Sequence, residues 1–303
     1  MSVIAMVSAR SEGATTSALA LALASPRPTL LAECDVVSGG SIRNGYLYDS
    51  PLHDDGPLDG TVGLHMLAQA DWERASAEET LAPAFDQNLR RLDASNRRYL
   101  LPGLTDPRQA ASLATTWPTL ADLLQVTAQQ AGYDVFVDAG RPVLDKGRLH
   151  PLLAPAALLH QADLVLLVVR ARRTSVVAAQ PMIDVLRAEL GTAGTGADGV
   201  GLLLVGQGGY SVAEVSRALQ TPVMAQLSWD ERTAGYLEGE RARPRGLDRA
   251  PLMRDARSAA RTLREWAQRR RLQLQLAAAQ ARHPAVAGVL QRLTQAQEAG
   301  PRG

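Results

Sequence analysis

Short apolar runs, each bounded by turn-forming residues, alternate along the chain with longer stretches of helical periodicity. The runs that predict strands fall at residues 3–7, 29–32, 98–101, 135–137, 164–169, 200–205 and 223–227. Several are too continuously apolar to have a solvent-facing side, which favours a parallel sheet covered on both faces. The stretches that predict helices fall at residues 15–24, 110–130, 175–190, 212–219 and 251–271. This alternation is typical of repeated βαβ units, so we expect an α/β fold with a doubly wound, mainly parallel sheet and helices on both faces.

Two segments interrupt this alternation, and the end of the chain departs from it. Residues 39–70 are rich in Gly, Asp, Pro and Ser and predict a long surface excursion, and residues 239–250 predict a second loop. From residue 269 onward the sequence becomes helical and rich in alanine, glutamine and leucine. We therefore expect one α/β domain at residues 1–268 and a C-terminal helical extension with a frayed end at residues 269–303.

Composition and charge set broad limits on the function. The 303 residues are 46% apolar and 21% charged, which is typical of a globular protein with a full α/β core. Because 32 basic and 31 acidic residues nearly cancel, no overall field draws the protein to nucleic acid or to a membrane. The single cysteine, Cys34, excludes an internal disulfide framework, and neither a signal-peptide pattern nor a membrane-spanning apolar run is present. We expect a cytoplasmic protein without direct membrane insertion.

The connection between the first strand and the first helix has the layout of a phosphate-binding loop without its cation. Residues 8–16 read SARSEGATT, directly between the apolar run and the helical stretch. A working loop of this kind directs backbone N–H groups and a lysine at the phosphates, and the hydroxyl after the lysine holds Mg²⁺. Gly13, Thr15 and Thr16 fit this layout, whereas Ala14 stands where the lysine belongs.

Further motifs follow in a recognisable order. The second strand ends near Glu33 and Asp35, residues 133–140 read YDVFVDAG, and residues 222–230 read PVMAQLSWD. Together with the phosphate-loop layout, this order over residues 1–268 resembles the ParA/MinD family of P-loop proteins. The Glu-x-Asp strand end, followed by two glycines, further resembles an actinobacterial branch of that family.

The resemblance implies a deviant loop with a degenerate nucleotide site. The family's loop carries two lysines, and Ala9 and Ala14 take their places, while Arg10 and Ser11 replace two glycines. The residues that would bind nucleotide, by their positions in this loop, are Arg10, Ser11, Gly13, Ala14, Thr15 and Thr16.

Catalytic and metal-binding roles fall to the remaining polar residues. Asp138, at the end of an apolar strand, would hold Mg²⁺ through water, and Thr15 would supply a direct hydroxyl ligand. Glu33 or Asp35 would orient an attacking water. Structural roles stay open for all of them, because acidic residues at strand ends also cap helices or turns, and Thr15 and Thr16 also suit a helix start.

The missing cations argue against efficient turnover. Phosphoryl transfer depends on cations that neutralise developing charge, and a single supplied arginine contributes roughly 10³ to 10⁵ in rate. Loss of two lysines therefore predicts weak or absent ATP hydrolysis, and Glu12 adds a negative charge beside the phosphates. The helix N-terminus still attracts anions, so both ATP with Mg²⁺ and no cofactor at all stay open. Lys146, the only lysine, is expected to be exposed to solvent rather than to bind a phosphate.

A basic region lies near the end of the predicted domain. Residues 241–271 contain eleven arginines, several of them three or four residues apart. Arg254, Arg257 and Arg261 are therefore candidate ligands of DNA phosphates. Interspersed acidic residues favour an ordinary solvated helix face instead.

We expect a ParA/MinD-like protein that acts as a dimerising positioning or assembly factor. It would form a homodimer and bind a protein partner within a larger assembly. One alternative is an active ParA/MinD-type ATPase that segregates DNA or localises a pilus or secretion machine. Another is a non-specific DNA-binding module that uses residues 241–271.

Overall fold

The computed structural model describes most of the chain. It covers residues 1–37, 39–48, 60–74, 79–206 and 208–282, with side chains described to residue 276. Part of the predicted surface excursion, and the predicted frayed end of the C-terminal extension, lie outside the described residues.

One large sheet forms the centre of the described chain. The strands are β1 Val3–Ser8, β2 Thr29–Glu33, β3 Arg90–Arg91, β4 Arg98–Leu101, β5 Asp134–Asp138, β6 Leu144–Asp145, β7 Arg148–Leu149, β8 Leu164–Arg170, β9 Val200–Gly206 and β10 Val223–Ser228. Eight of them form the sheet in the order β10-β9-β8-β1-β5-β2-β4-β3. Only β3 runs antiparallel to its neighbour in this described sheet, and β6 and β7 form a separate hairpin.

Helices follow most of the strands. They are α1 Ala14–Ala24, α2 Ser41–Asn44, α3 Leu64–Glu73, α4 Ala82–Gln87, α5 Thr116–Gln129, α6 Ala156–Gln161, α7 Arg173–Ala193, α8 Val212–Leu219, α9 Glu231–Leu237 and α10 Pro251–Arg282. Short 3₁₀ helices occupy Pro107–Leu113, Ala197–Gly199 and Leu247–Arg249. None of the described helices is long and apolar enough to cross a membrane.

The sheet separates two hydrophobic cores. In β1, Val3, Ala5 and Val7 face the core formed with α5, α6 and α7, whereas Ile4 and Met6 face the core formed with α1 and α10. Each of these five side chains is at most 3% exposed. Burial on both faces explains why the strand sequences are continuously apolar rather than alternating. The predicted doubly wound, mainly parallel α/β fold is confirmed.

One predicted helix begins later than expected. The helix predicted at residues 110–130 begins at Thr116, because the 3₁₀ helix Pro107–Leu113 precedes it. The side chain of Asp106 accepts a hydrogen bond from the backbone N–H of Arg108 and caps that tighter turn.

The prediction of a surface excursion at residues 39–70 is wrong where the chain is described. Helices α2 and α3 pack into the cores, and Ile42 and Leu64 are each 1% exposed. Arg43 is equally buried. The glycines that suggested a loop instead begin these helices, since Gly40 and Gly63 have φ values of 66° and 113°.

Helix α10 continues through the boundary predicted between residues 268 and 269. Just beyond it, Arg270 is 5% exposed and donates hydrogen bonds to the carbonyl oxygens of Thr195 and Gly196. Arg271 pairs with Asp163 on the same side of the domain. The start of the predicted extension is therefore attached to the α/β domain, and the division into a domain at residues 1–268 and a C-terminal helical extension with a frayed end at residues 269–303 stays a prediction.

We predict that Arg270→Ala destabilises the domain by about 2–4 kcal/mol. The substitution removes a buried side chain and leaves two part-buried carbonyl oxygens and the exposed Asp198 carboxylate without their donor. Urea unfolding measures the change, with Arg269→Ala as the control. Arg269 is exposed and lies over the Trp266 ring, so its loss costs at most about 1 kcal/mol. Equal losses for the two variants would contradict the anchoring role.

Candidate functional site

The loop between β1 and α1 is shaped by one glycine. Gly13 has a φ of 90° and is the N-cap of α1, and its carbonyl oxygen accepts a hydrogen bond from the N–H of Ser17. A Cβ atom on Gly13 would meet nothing within 4 Å, so the backbone conformation, not space, favours glycine. The first N–H groups of α1, which have no partner within the helix, therefore lie at the carboxyl end of the sheet.

Two cavities meet at this loop. The larger, here called the loop cavity, has a volume of about 340 Å³, and the smaller, the side cavity, of about 240 Å³. The residues that line both are Gly13, Thr16, Arg170, Glu238 and Glu240. The six residues predicted to bind nucleotide all line the loop cavity. The structure thus brings that predicted set together at one site.

An acidic side chain lies in the loop, and an arginine neutralises it. Glu12 forms an ion pair with Arg170 at the end of β8, with 3.1 Å between Oε2 and Nε. The Arg170 guanidinium also lies 4.9 Å from the ring centroid of Trp229 and donates to the carbonyl oxygen of Ser11. The Glu12 and Arg170 side chains are 13% and 24% exposed, so water screens the pair only in part.

A second acidic residue contacts the start of α1. The Thr16 hydroxyl donates a hydrogen bond to Oε1 of Glu238, at 2.9 Å. Glu238 directly follows α9 and is 222 residues from Thr16 along the chain. One of the two threonines predicted to bind nucleotide is therefore already engaged within the chain.

Asp138, the predicted magnesium ligand, is fully buried at the end of β5. Burial raises its pKa to about 7, the Thr15 hydroxyl lowers it, and the nearby Asp35 and Glu33 raise it. Its Oδ1 accepts a hydrogen bond from the N–H of Gly140, whereas the buried Oδ2 has no hydrogen bond of good geometry. At neutral pH this carboxyl therefore carries a proton in a large fraction of molecules.

The two residues predicted to orient water are held by the backbone. Glu33 is 1% exposed, and its two oxygens accept hydrogen bonds from the N–H groups of Ile42 and Gly103, at 2.8 and 2.9 Å. Burial raises the pKa of Glu33, although these bonds oppose the shift. Asp35 accepts a hydrogen bond from Val37 and packs against Gly140, where an added Cβ would lie 2.0 Å from the Asp35 side chain. These contacts favour structural roles, and the catalytic roles stay predictions.

Other predicted cations lie away from the loop. Lys146 is exposed at the tip of the β6–β7 hairpin and lines neither cavity. Arg254 and Arg261 are exposed on α10, while Arg257 is half-buried and donates to the carbonyl oxygen of Asp248. Binding of DNA by these three arginines stays a prediction.

Sequence reasoning missed Arg170 and Glu238. Arg170 stands at the end of a correctly predicted strand, so its position near the site was available from the pattern. Glu238 gave no such signal, because helix α9, which carries it to the loop, was not predicted.

The fold matches that of solved ParA/MinD-type P-loop proteins. The ParA family ATPase from Chlorobium tepidum TLS superposes with a TM-score of 0.61 and 16% identity, covering 86% of this chain and 98% of that one. The MinD cell division protein from Aquifex aeolicus gives 0.58 and 15%, covering 88% and 97%. The septum site-determining protein MinD complexed with Mg-ADP from Pyrococcus horikoshii OT3 gives 0.55 and 17%, covering 84% and 94%. No protein-family model matches the sequence, and no curated protein matches it.

The residues of the loop cavity do not fit a magnesium-bound triphosphate. The buried Oδ2 of Asp138, near Thr15, is the one feature that suits a cation. Against it, the described residues contain no group of three or more His, Cys, Asp or Glu arranged to hold a metal ion. The loop has no lysine, Glu238 and Glu240 bring negative charge to this cavity, and Arg170, one of the arginines that line it, is paired with Glu12.

We predict that Asp138→Asn stabilises the protein at high pH. Folding raises the pKa of Asp138 from 3.8 to about 7, so its contribution is favourable below pH 4 and is lost as the pH rises through 7. Asparagine removes this loss, and the variant should gain on the order of 2–4 kcal/mol over the natural chain at pH 8 and little at pH 4.

Urea unfolding between pH 4 and 8, in buffer with a metal chelator, measures this difference. Asp184→Asn is the control, because Asp184 is exposed on α7. A difference between Asp138→Asn and the natural chain that does not change with pH would contradict the raised pKa.

Proposed function

We propose that the chain is a ParA/MinD-like protein that acts as a dimerising positioning or assembly factor with weak or absent ATP hydrolysis. The observation that carries this proposal is the ion pair between Glu12 and Arg170 within the phosphate-type loop. The loop therefore carries a carboxylate that occupies an arginine, and alanines, Ala9 and Ala14, stand at the positions of the two lysines of the family's loop.

Electrostatic magnitudes support this proposal. Two like charges about 4 Å apart repel by about 1 kcal/mol in water and about 4 kcal/mol at the effective dielectric near a protein surface. A triphosphate in the loop cavity would meet Glu238 and Glu240 without a lysine to offset them, and Arg170, one of the arginines that line this cavity, is paired with Glu12. The amides of α1 supply only partial positive charge.

The comparisons support the positioning role by analogy. Their names describe a ParA family ATPase, a cell division protein and a septum site-determining protein, the last with Mg-ADP bound. We infer that this chain keeps the shape of such proteins and acts through its surfaces, as a homodimer that binds a protein partner. The actinobacterial branch rests on sequence motifs alone.

We predict that the purified chain is a dimer with and without Mg-ATP, because the nucleotide site does not control association. Light scattering at several protein concentrations measures the state. Phosphate release from Mg-ATP should be the same for the natural chain and for Asp138→Asn, since neither hydrolyses ATP efficiently. Dimers that form only with Mg-ATP, with phosphate release abolished by Asp138→Asn, would instead establish the active-ATPase alternative.

A further inference from the structure

Glu238 lies at the junction of the two cavities. It lines both of them, and its carboxylate accepts the hydrogen bond from the Thr16 hydroxyl in the first turn of α1. This is the turn whose N–H groups have no partner within the helix and attract negative charge. Glu238 thus supplies a negative group from within the chain at the place where an anion would approach the loop.

The corner that carries Glu238 is fixed by close backbone packing. A Cβ atom on Gly45 would lie 2.4 Å from the carbonyl oxygen of Glu238, and one on Gly239 would lie 2.5 Å from the carbonyl carbon of Gly45. Gly239 also has a φ of 78°, which favours glycine. At its other end, α9 is capped by the side chain of Asp230. Both ends of α9 are therefore held, and Glu238 is presented to Thr16 by a defined turn.

Three arginines line the loop cavity, namely Arg10, Arg141 and Arg170, and Arg170, which also lines the side cavity, is already engaged. It lines both cavities, pairs with Glu12 and lies over the ring of Trp229. An anion could use the Arg170 charge fully only if Glu12 released it. The Thr16 hydroxyl and the Arg170 guanidinium are thus both bound by carboxylates of the same chain.

We propose that Glu238 and Glu12 act as internal anionic ligands that close the phosphate-type loop to oxyanions. This inference rests on the proposed function, in which the loop does not use ATP. The two carboxylates tie α1, β8 and α9 together without a nucleotide. Beneath them lies a latent oxyanion site made of Arg170, the Thr16 hydroxyl and the first amides of α1.

We call the Glu12–Arg170 and Glu238–Thr16 contacts together the latch. Neutral substitutions test the latch without removing its hydrogen-bond acceptors. Glu12→Gln and Glu238→Gln, singly and together, remove negative charge but keep an oxygen at each position. Glu240→Gln is the matched control, because Glu240 lines both cavities and is two residues from Glu238. Within the described part of the chain, the Glu240 side chain forms no hydrogen bond or ion pair.

Binding of inorganic phosphate and of Mg-ATP is measured by calorimetry and by the ligand-induced rise in Tm. We expect the natural chain and Glu240→Gln to bind both probes weakly or not at all. The double variant should bind inorganic phosphate at least tenfold more tightly, with each single variant in between. Circular dichroism and the Tm without ligand establish that each variant is folded.

The outcomes separate the latch from the proposed function. Folded double variants that bind phosphate no better than Glu240→Gln would overturn the latch and leave the proposed function in place. Tight Mg-ATP binding with rapid turnover by the natural chain would overturn the proposed function and, with it, the latch. Tighter phosphate binding by the double variant than by the natural chain or Glu240→Gln would support both the latch and the proposed function.

Discussion

The structure depends on how the carboxylates at the carboxyl ends of the central strands are neutralised or hydrogen-bonded. Glu33 and Asp138 are paired in register on the adjacent strands β2 and β5, and Asp35 lies two residues after Glu33. All three are at most 6% exposed. Buried carboxylates this close raise one another's free energy unless each is neutralised or hydrogen-bonded. A bound metal ion would be one solution, and the described residues provide others.

Four acidic residues at this end of the sheet are stabilised by different neighbouring groups. Glu33 accepts hydrogen bonds from two backbone N–H groups. Asp138 is protonated in a large fraction of molecules at neutral pH, since its pKa is raised to about 7. Glu12 forms an ion pair with the Arg170 guanidinium, and Glu238 accepts a hydrogen bond from the Thr16 hydroxyl. All of these partners belong to the described part of the same chain. The fold is therefore compatible with a loop that contains no lysine.

The sequence predicted the parts of the fold in which local pattern and tertiary environment agree. All seven predicted strands are found, and several of them are continuously apolar because both faces of the sheet are covered. Helices α2 and α9 were missed because they are four and seven residues long, too short for a periodic signal. The cavity residues from Arg10 to Thr16 were predictable because the loop directly follows a strand. Arg170 follows a predicted strand, so its place near the site was available from the pattern, but Glu238 was not predictable, because it follows the unpredicted helix α9 and is 222 residues from Thr16.

The arginine-rich segment shows why composition alone misleads about surfaces. Arg264, Arg270 and Arg271 turn toward the domain and pair with Asp134, Asp198 and Asp163. Asp134 and Asp163 lie at the amino-terminal ends of β5 and β8, so these arginines hold α10 across the end of the sheet opposite to the loop. The same helix packs against α1 in the core that contains Ile4 and Met6. A helix held at several points along its length keeps α1, and therefore the phosphate-type loop at its start, in a fixed position. The arginines of α10 that face inward thus contribute to the geometry of the candidate site, although none of them touches it.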